Sequence, residues 1–130
     1  MAYIESHPPG SFAWVELATT DQAAAKKFYT SLFGWKEKTS TGAGMTYTEF
    51  YAGDAPMGGM MEMNAQMVSM NVPPNWLTYF QVADVDATAN QAASLGAKMT
   101  VPPMDIPNTG RFSVIQDPQG AMFAIYKPAR

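Results

Sequence analysis

Residues 12–35 read FAWVELATTDQAAAKKFYTSLFGW. Phe12 to Ala18 alternates and is rich in strand formers, so the spacing predicts a strand. Asp21 has the short carboxylate that caps a helix start, and Ala23, Ala24, Ala25, Phe28, Tyr29 and Leu32 follow at helical spacing. Gly34 can take the left-handed conformation that ends a helix. The unit is therefore strand, capped helix, glycine stop. Whether it stands alone decides the fold.

Working outward, Trp35 to Thr39 predicts a short strand and STGAG at 40–44 a turn. Thr46 to Tyr51 and Met57 to Met63 predict paired strands joined through AGDAP. NAQMVSMNVPPN, from Asn64, has no clear period and ends in Pro73-Pro74, so it reads as a linker. The order then recurs. Leu77 to Val82 predicts a strand, and Asp84 opens a helix closed by Gly96. Lys98 to Val101 predicts a strand and PPMDIPNTG a loop. Arg111 to Gln116 and Ala121 to Tyr126 predict strands joined by the turn DPQG. Asp21 to Asp84 and Asp54 to Asp117 are both 63 residues, and Gly34 to Gly96 is 62. A repeated element order at a near-constant offset predicts an internal duplication. The expected organisation is one domain over 1–130, with a first βαβββ module at 11–64, a linker at 65–76 and a second module at 77–127. Neither half buries both faces of a small sheet by itself, so two halves forming one core is the economical solution.

Composition narrows the function. A chain of 130 residues buries roughly two-thirds of the surface its unfolded form exposes. With 47% hydrophobic and 15% charged residues it falls outside the disordered class. The net charge of −3, without a Lys/Arg cluster, argues against nucleic acid or an anionic membrane as partner. The absence of Cys excludes disulfides, a thiol nucleophile and zinc–thiolate sites. MAYIESHPPG has neither a basic region nor a long apolar run, so no signal peptide is expected and a cytoplasmic location fits. No stretch approaches the ~20 apolar residues of a membrane span.

The strand with its Asp-headed helix and FYTSLFGW, followed by a second half closing in GRFSVIQDPQGAMFAIYKP, resembles the vicinal oxygen chelate superfamily. This is the group of glyoxalase I, bleomycin-resistance proteins and extradiol dioxygenases. The resemblance runs from about Phe12 to Lys127. It implies an α+β fold in which two βαβββ modules form an eight-stranded, open barrel-like sheet around one cavity. It also implies a homodimer, as many members dimerise. In metal-using members the ligands come from the first and last strand of each module. Carried onto this chain, those positions are Trp14, Met61, Leu77 and Ala124, and none is a ligand for a hard metal or zinc. No cofactor is therefore expected. A one-residue shift in the last strands would bring Glu62 to the Met61 position.

The residues sort accordingly. Trp14 reads as core packing or as the flat apolar wall of a cavity. Glu16 shares its face, and an inward carboxylate needs a partner; it is a candidate polar anchor or base, or a strand-end charge. Glu49 and Glu62 are weaker candidates. Tyr79 shares a face with Leu77 and Tyr126 with Ala124, so each is either a ligand-orienting phenol or a core Tyr. Arg111 could clamp an anion, be a plain surface Arg, or pair with Asp105. Met57, Met60, Met61, Met63, Met67 and Met70 suit an adaptable cavity, a dimer seam or gap-filling core. His7 reads as a solvated tail residue. No Gly-x-Ser-x-Gly elbow and no phosphate loop appear. The expected function is metal-independent binding of a small apolar or aromatic molecule, of the sequestration or resistance type. Trp14, Glu16, Met61, Leu77, Tyr79, Ala124 and Tyr126 are the expected ligand-binding residues. The alternatives are a metal-dependent lyase or dioxygenase of the same superfamily, a metal-free enzyme with Glu16 as base, and an interaction module with a methionine-rich dimer interface.

Overall fold

The computed structural model describes residues 8–42, 45–107 and 109–129. His7 lies outside the described residues. The chain is α+β, with eight strands and three helices in the order β1 (Phe12–Thr19), α1 (Gln22–Phe33), β2 (Lys36–Gly42), β3 (Met45–Ala52), β4 (Ala55–Glu62), α2 (Ala65–Ser69), β5 (Asn75–Gln81), α3 (Val85–Ser94), β6 (Lys98–Ile106), β7 (Gly110–Gln116) and β8 (Met122–Pro128). It divides into two compact units. The first is Val15–Trp76; the second is residues 77–129 with residues 8–14.

In the first unit the strand order is β2-β3-β4-β1. β1 runs parallel to β4, while β4–β3 and β3–β2 are antiparallel. The parallel pair needs a crossover, and α1 begins it. Asp21 caps α1, its Oδ1 accepting from the Ala24 N–H at 3.0 Å, and Gly34 closes it at φ +68°. Leu17, Phe50 and Met60 form the core on one face of this sheet, with Ala25, Tyr29, Trp35 and Met57 packed against it. Phe28 and Leu32, at helical spacing with these, point outward and are each 58% exposed. The apolar spacing of α1 is wider than the stripe that one sheet face covers.

The second unit repeats the plan, with order β5-β8-β7-β6 and β5 parallel to β8. Asp84 caps α3 through the Ala87 N–H at 2.9 Å. Val85, Ala89, Ile115 and Ile125 form its core. Arg111 bridges three elements of this unit at its surface. Its guanidinium donates to Asp86 at 2.8 and 2.9 Å and to Asp105 at 3.0 Å, joining β7 to α3 and β6.

Two segments differ from the sequence reading. The expected linker contains α2. Asn64 caps it by accepting from the Met67 N–H at 2.8 Å, and five residues are too few to show a helical period. The expected loop PPMDIPNTG is instead largely strand, because β6 continues through Pro102 and Pro103 to Ile106. β6 is an edge strand, where a missing N–H is tolerated, and two register shifts, between Met99 and Val101 and between Val101 and Met104, take up the prolines.

Candidate functional site

In each unit the four strands have one face packed on the helix and one face free of it. In the first unit the helix-free face is set by register. Glu16 is paired with Gly59, and Gly59 with Glu49; Ala18 is paired with Met61, and Met61 with Tyr47. Partners on one rung share a face, and residues two apart on a strand do so too. Lys38 and Ser40 of β2 extend it, opposite Glu49 and Tyr47.

The centre of this face is a hydrogen bond. Tyr47 Oη donates to Glu16 Oε2 at 2.7 Å. Glu16 is only 7% exposed, so a partner is a physical requirement, and a phenol from two strands away supplies one. Gly59 makes the contact possible, since a Cβ there would overlap the Tyr47 hydroxyl. Beside this pair, Tyr51 Oη donates to Glu49 at 3.2 Å. Burial, first, and then the neighbouring Glu49 push the Tyr51 phenol above its ordinary range. Sequence reasoning missed Tyr47 and Gly59, because the contact depends on cross-strand register and spans 31 residues.

In the second unit the helix-free face pairs Tyr79 with Ala124, Ala124 with Val114, and Tyr126 with both Phe112 and Gln81. Tyr79 has ring centroids 6.4 Å from Phe112 and 6.5 Å from Tyr126. The Tyr126 hydroxyl donates to the Thr109 carbonyl at 2.9 Å, and burial pushes its pKa up. Leu77 is half-buried, Ala124 is buried, and Trp14 is 2% exposed.

The register corrects the module alignment. Glu16 to Tyr79 is 63 residues, but their partners Gly59 and Ala124 are 65 apart. The counterpart of Ala124 is therefore Gly59, and Met61 corresponds to Tyr126. β6, at nine residues against seven in β7, holds the extra length in its two register shifts. Met61 remains on the helix-free face, because the slip is two residues. Glu62 is exposed and paired with Thr19 on the alternate rung, off that face. The positions where the resemblance places metal ligands are thus Trp14, Gly59, Leu77 and Ala124, and none offers a donor side chain. Among the described residues no three His, Cys, Asp or Glu side chains lie together as a metal-binding group. The donor set does not fit the superfamily's metal.

The other candidates separate. Arg111 is committed to Asp86 and Asp105. The expected Asp105 partner is present; Asp86 was missed because α3 delivers it from 25 residues away. The methionines do not form one surface: Met60 and Met63 are core, Met57, Met61 and Met67 half-buried, and Met70 exposed.

This paired-module architecture defines a class. The chain matches the model of the Glyoxalase/Bleomycin resistance protein/Dioxygenase superfamily over residues 11–125, and it belongs to that superfamily. It is 42% identical over 121 residues to CFP32 of Mycobacterium tuberculosis, whose name makes it provisionally a glyoxylase; the match covers 92% of this chain and 45% of that one. It is 37% identical over 117 residues to the anthracycline biosynthesis protein DnrV of Streptomyces peucetius, covering 90% of this chain and 41% of that one. The chain thus spans less than half the length of these curated relatives. Among solved structures, Streptomyces coelicolor methylmalonyl-CoA epimerase in complex with 2-nitronate-propionyl-CoA matches with a TM-score of 0.69 at 16% identity, over 95% of this chain and 100% of that chain. The Mycobacterium tuberculosis epimerase matches with a TM-score of 0.67 at 16% identity, over 92% and 89%. Among the described residues no helix is long and apolar enough to cross a membrane.

Proposed function

We propose that this chain binds a small, largely apolar or aromatic molecule without a metal, in the manner of a sequestration or resistance protein. The observation that carries the reading is the Glu16–Tyr47 hydrogen bond, on a face of the first unit where Gly59 stands at the ligand position. A carboxylate beside a metal would need further donors around it; here a phenol takes that place. In the first unit Glu16 is the polar anchor and Met61 an apolar contact. In the second, Leu77, Tyr79, Ala124 and Tyr126 supply apolar and aromatic contact surface. A few polar groups in an otherwise apolar lining are what a small-molecule site requires. DnrV is named for anthracycline biosynthesis, and that name supports a planar aromatic ligand here. The working form is a homodimer.

A second reading has one observation behind it, the name carried by CFP32: a lyase of the glyoxalase type. With no donor set for a metal, Glu16 would then act as general base at an acidic carbon.

Native mass spectrometry tests the binding reading. The protein is purified without chelator, then examined alone, after loading with Zn²⁺ or Ni²⁺, and with a panel of planar aromatics. The binding reading expects dimers that retain one aromatic molecule per chain and no metal, with retention reduced by Glu16→Gln. Stoichiometric metal retention overturns it.

A further inference from the structure

We propose that Tyr47 is a built-in stand-in for a ligand hydroxyl, and that this face takes hydroxylated aromatic molecules whose phenol replaces that of Tyr47 on Glu16. This deepens the function proposed above and rests on it. The geometry shows what the carboxyl accepts: a phenolic O–H, at 2.7 Å, from a ring lying along the sheet. The space for that hydroxyl is made by Gly59, which stands between Glu16 and Glu49 on a single rung. The strands that carry the two carboxyl groups are two strand spacings apart, about 10 Å, and the Tyr47 phenol reaches in over Gly59.

Tyr47 is half-buried, whereas Glu16 and Gly59 are buried. The cover is therefore more accessible than what it covers. The ring turns on two side-chain torsions and leaves without breaking the backbone ladder. Exchange for an incoming phenol is balanced, with one O–H donor leaving Glu16 and one arriving, so the buried carboxyl is not left without that bond. The incoming ring gains Met61, the cross-strand partner of Tyr47, as apolar contact. An aromatic ligand lacking a hydroxyl displaces the same phenol without replacing its bond, and it bears that loss in affinity. Tyr47 thus sets specificity: it is a competitor that a ligand matches only by donating a hydrogen bond of its own.

The test compares 2-naphthol with 2-methoxynaphthalene, which has the same ring system and cannot donate. Both are titrated by calorimetry into the wild-type chain, Tyr47→Phe and Glu16→Gln, with near-UV circular dichroism as the folding control. Removing the competing hydroxyl spares both probes the same bond, so Tyr47→Phe is expected to tighten 2-naphthol and 2-methoxynaphthalene alike, by ~10-fold, and to keep the preference for 2-naphthol. Glu16→Gln keeps a weaker acceptor and is expected to reduce the preference for 2-naphthol. In the wild-type chain, which needs no variant to fold, 2-naphthol is expected to shift the Tyr47 ring resonances at lower concentration than the methoxy compound. Equal affinities of the two probes for the wild-type chain, or binding to Tyr47→Phe no tighter than to wild type, overturn the stand-in and leave aromatic binding intact. If neither probe binds wild type or variant, both the aromatic-binding reading and the stand-in fall.

Discussion

The hydroxyl of Tyr47 occupies the volume that a side chain at Gly59 would need. Neither residue is unusual alone. Together they allow a phenol from β3 to cross β4 and reach a buried carboxyl on β1. Gly59→Ala therefore sets a methyl group against a ring that is held at its far end. It is expected to lower stability by about 1–3 kcal/mol, the usual range for overpacking. Urea denaturation with an unchanged m-value would confirm a native-state effect, and a stability within 0.3 kcal/mol of wild type, roughly the error of such additivity comparisons, would count against the contact.

Trp14 answers a different question from Glu16. At 2% exposure it is core, so Trp14→Ala is expected to cost about 3–5 kcal/mol and to report on folding more than on ligand contact. Thermal unfolding checks this. A Trp14→Ala chain as stable as wild type would return Trp14 to the role of a cavity wall.

The Arg111 ion pair predicts an acid-side effect. Hydrogen bonds from Arg111, more than its charge, hold the Asp86 carboxyl below its ordinary value of 3.8. A depressed folded pKa stabilises above the unfolded value and is lost as pH falls through the folded one. Arg111→Gln is therefore expected to be less stable than wild type at neutral pH, with the gap closing as pH drops below 3.8. Because Asp86 is exposed, salt should narrow the gap as well. Denaturation midpoints at several pH values decide; a gap that stays constant into strong acid would exclude this origin.

The alkaline side has its own prediction. Burial raises the Tyr126 phenol above 10.0, and burial followed by Glu49 raises that of Tyr51. Raised folded values stabilise below the unfolded pKa and are lost as pH climbs through the folded one. Stability is expected to fall above pH 10, and Tyr126→Phe should reduce that fall. Phenolate absorbance followed through an alkaline titration is the readout. At neutral pH, Tyr126→Phe loses the bond to Thr109 and is expected to cost about 0.5–1.5 kcal/mol.

Local chemistry was the legible part. Asp21 and Asp84 cap helices where their spacing placed them, because a cap is a contact between residues three apart. The shared faces of Glu16 with Trp14, Tyr79 with Leu77 and Tyr126 with Ala124 followed from strand alternation, and Met61, placed by the 63-residue offset, keeps its face because the slip is two residues. The prolines of β6 were misleading, since local preference disfavours strand there and only an edge position tolerates it.

The duplicated βαβββ plan, the capped starts of α1 and α3 and the lack of metal-ligand side chains at the expected positions are properties of the chain order itself. They rest on contacts a few residues long and on residue identity. The Tyr47–Glu16 bond, the need for glycine at position 59, the 65-residue offset of the last strands and the capture of Arg111 by Asp86 belong to tertiary structure. Each depends on which rung of one strand meets which rung of the next. That register is set cooperatively by bulges and core packing across the sheet, and no short stretch of sequence carries it.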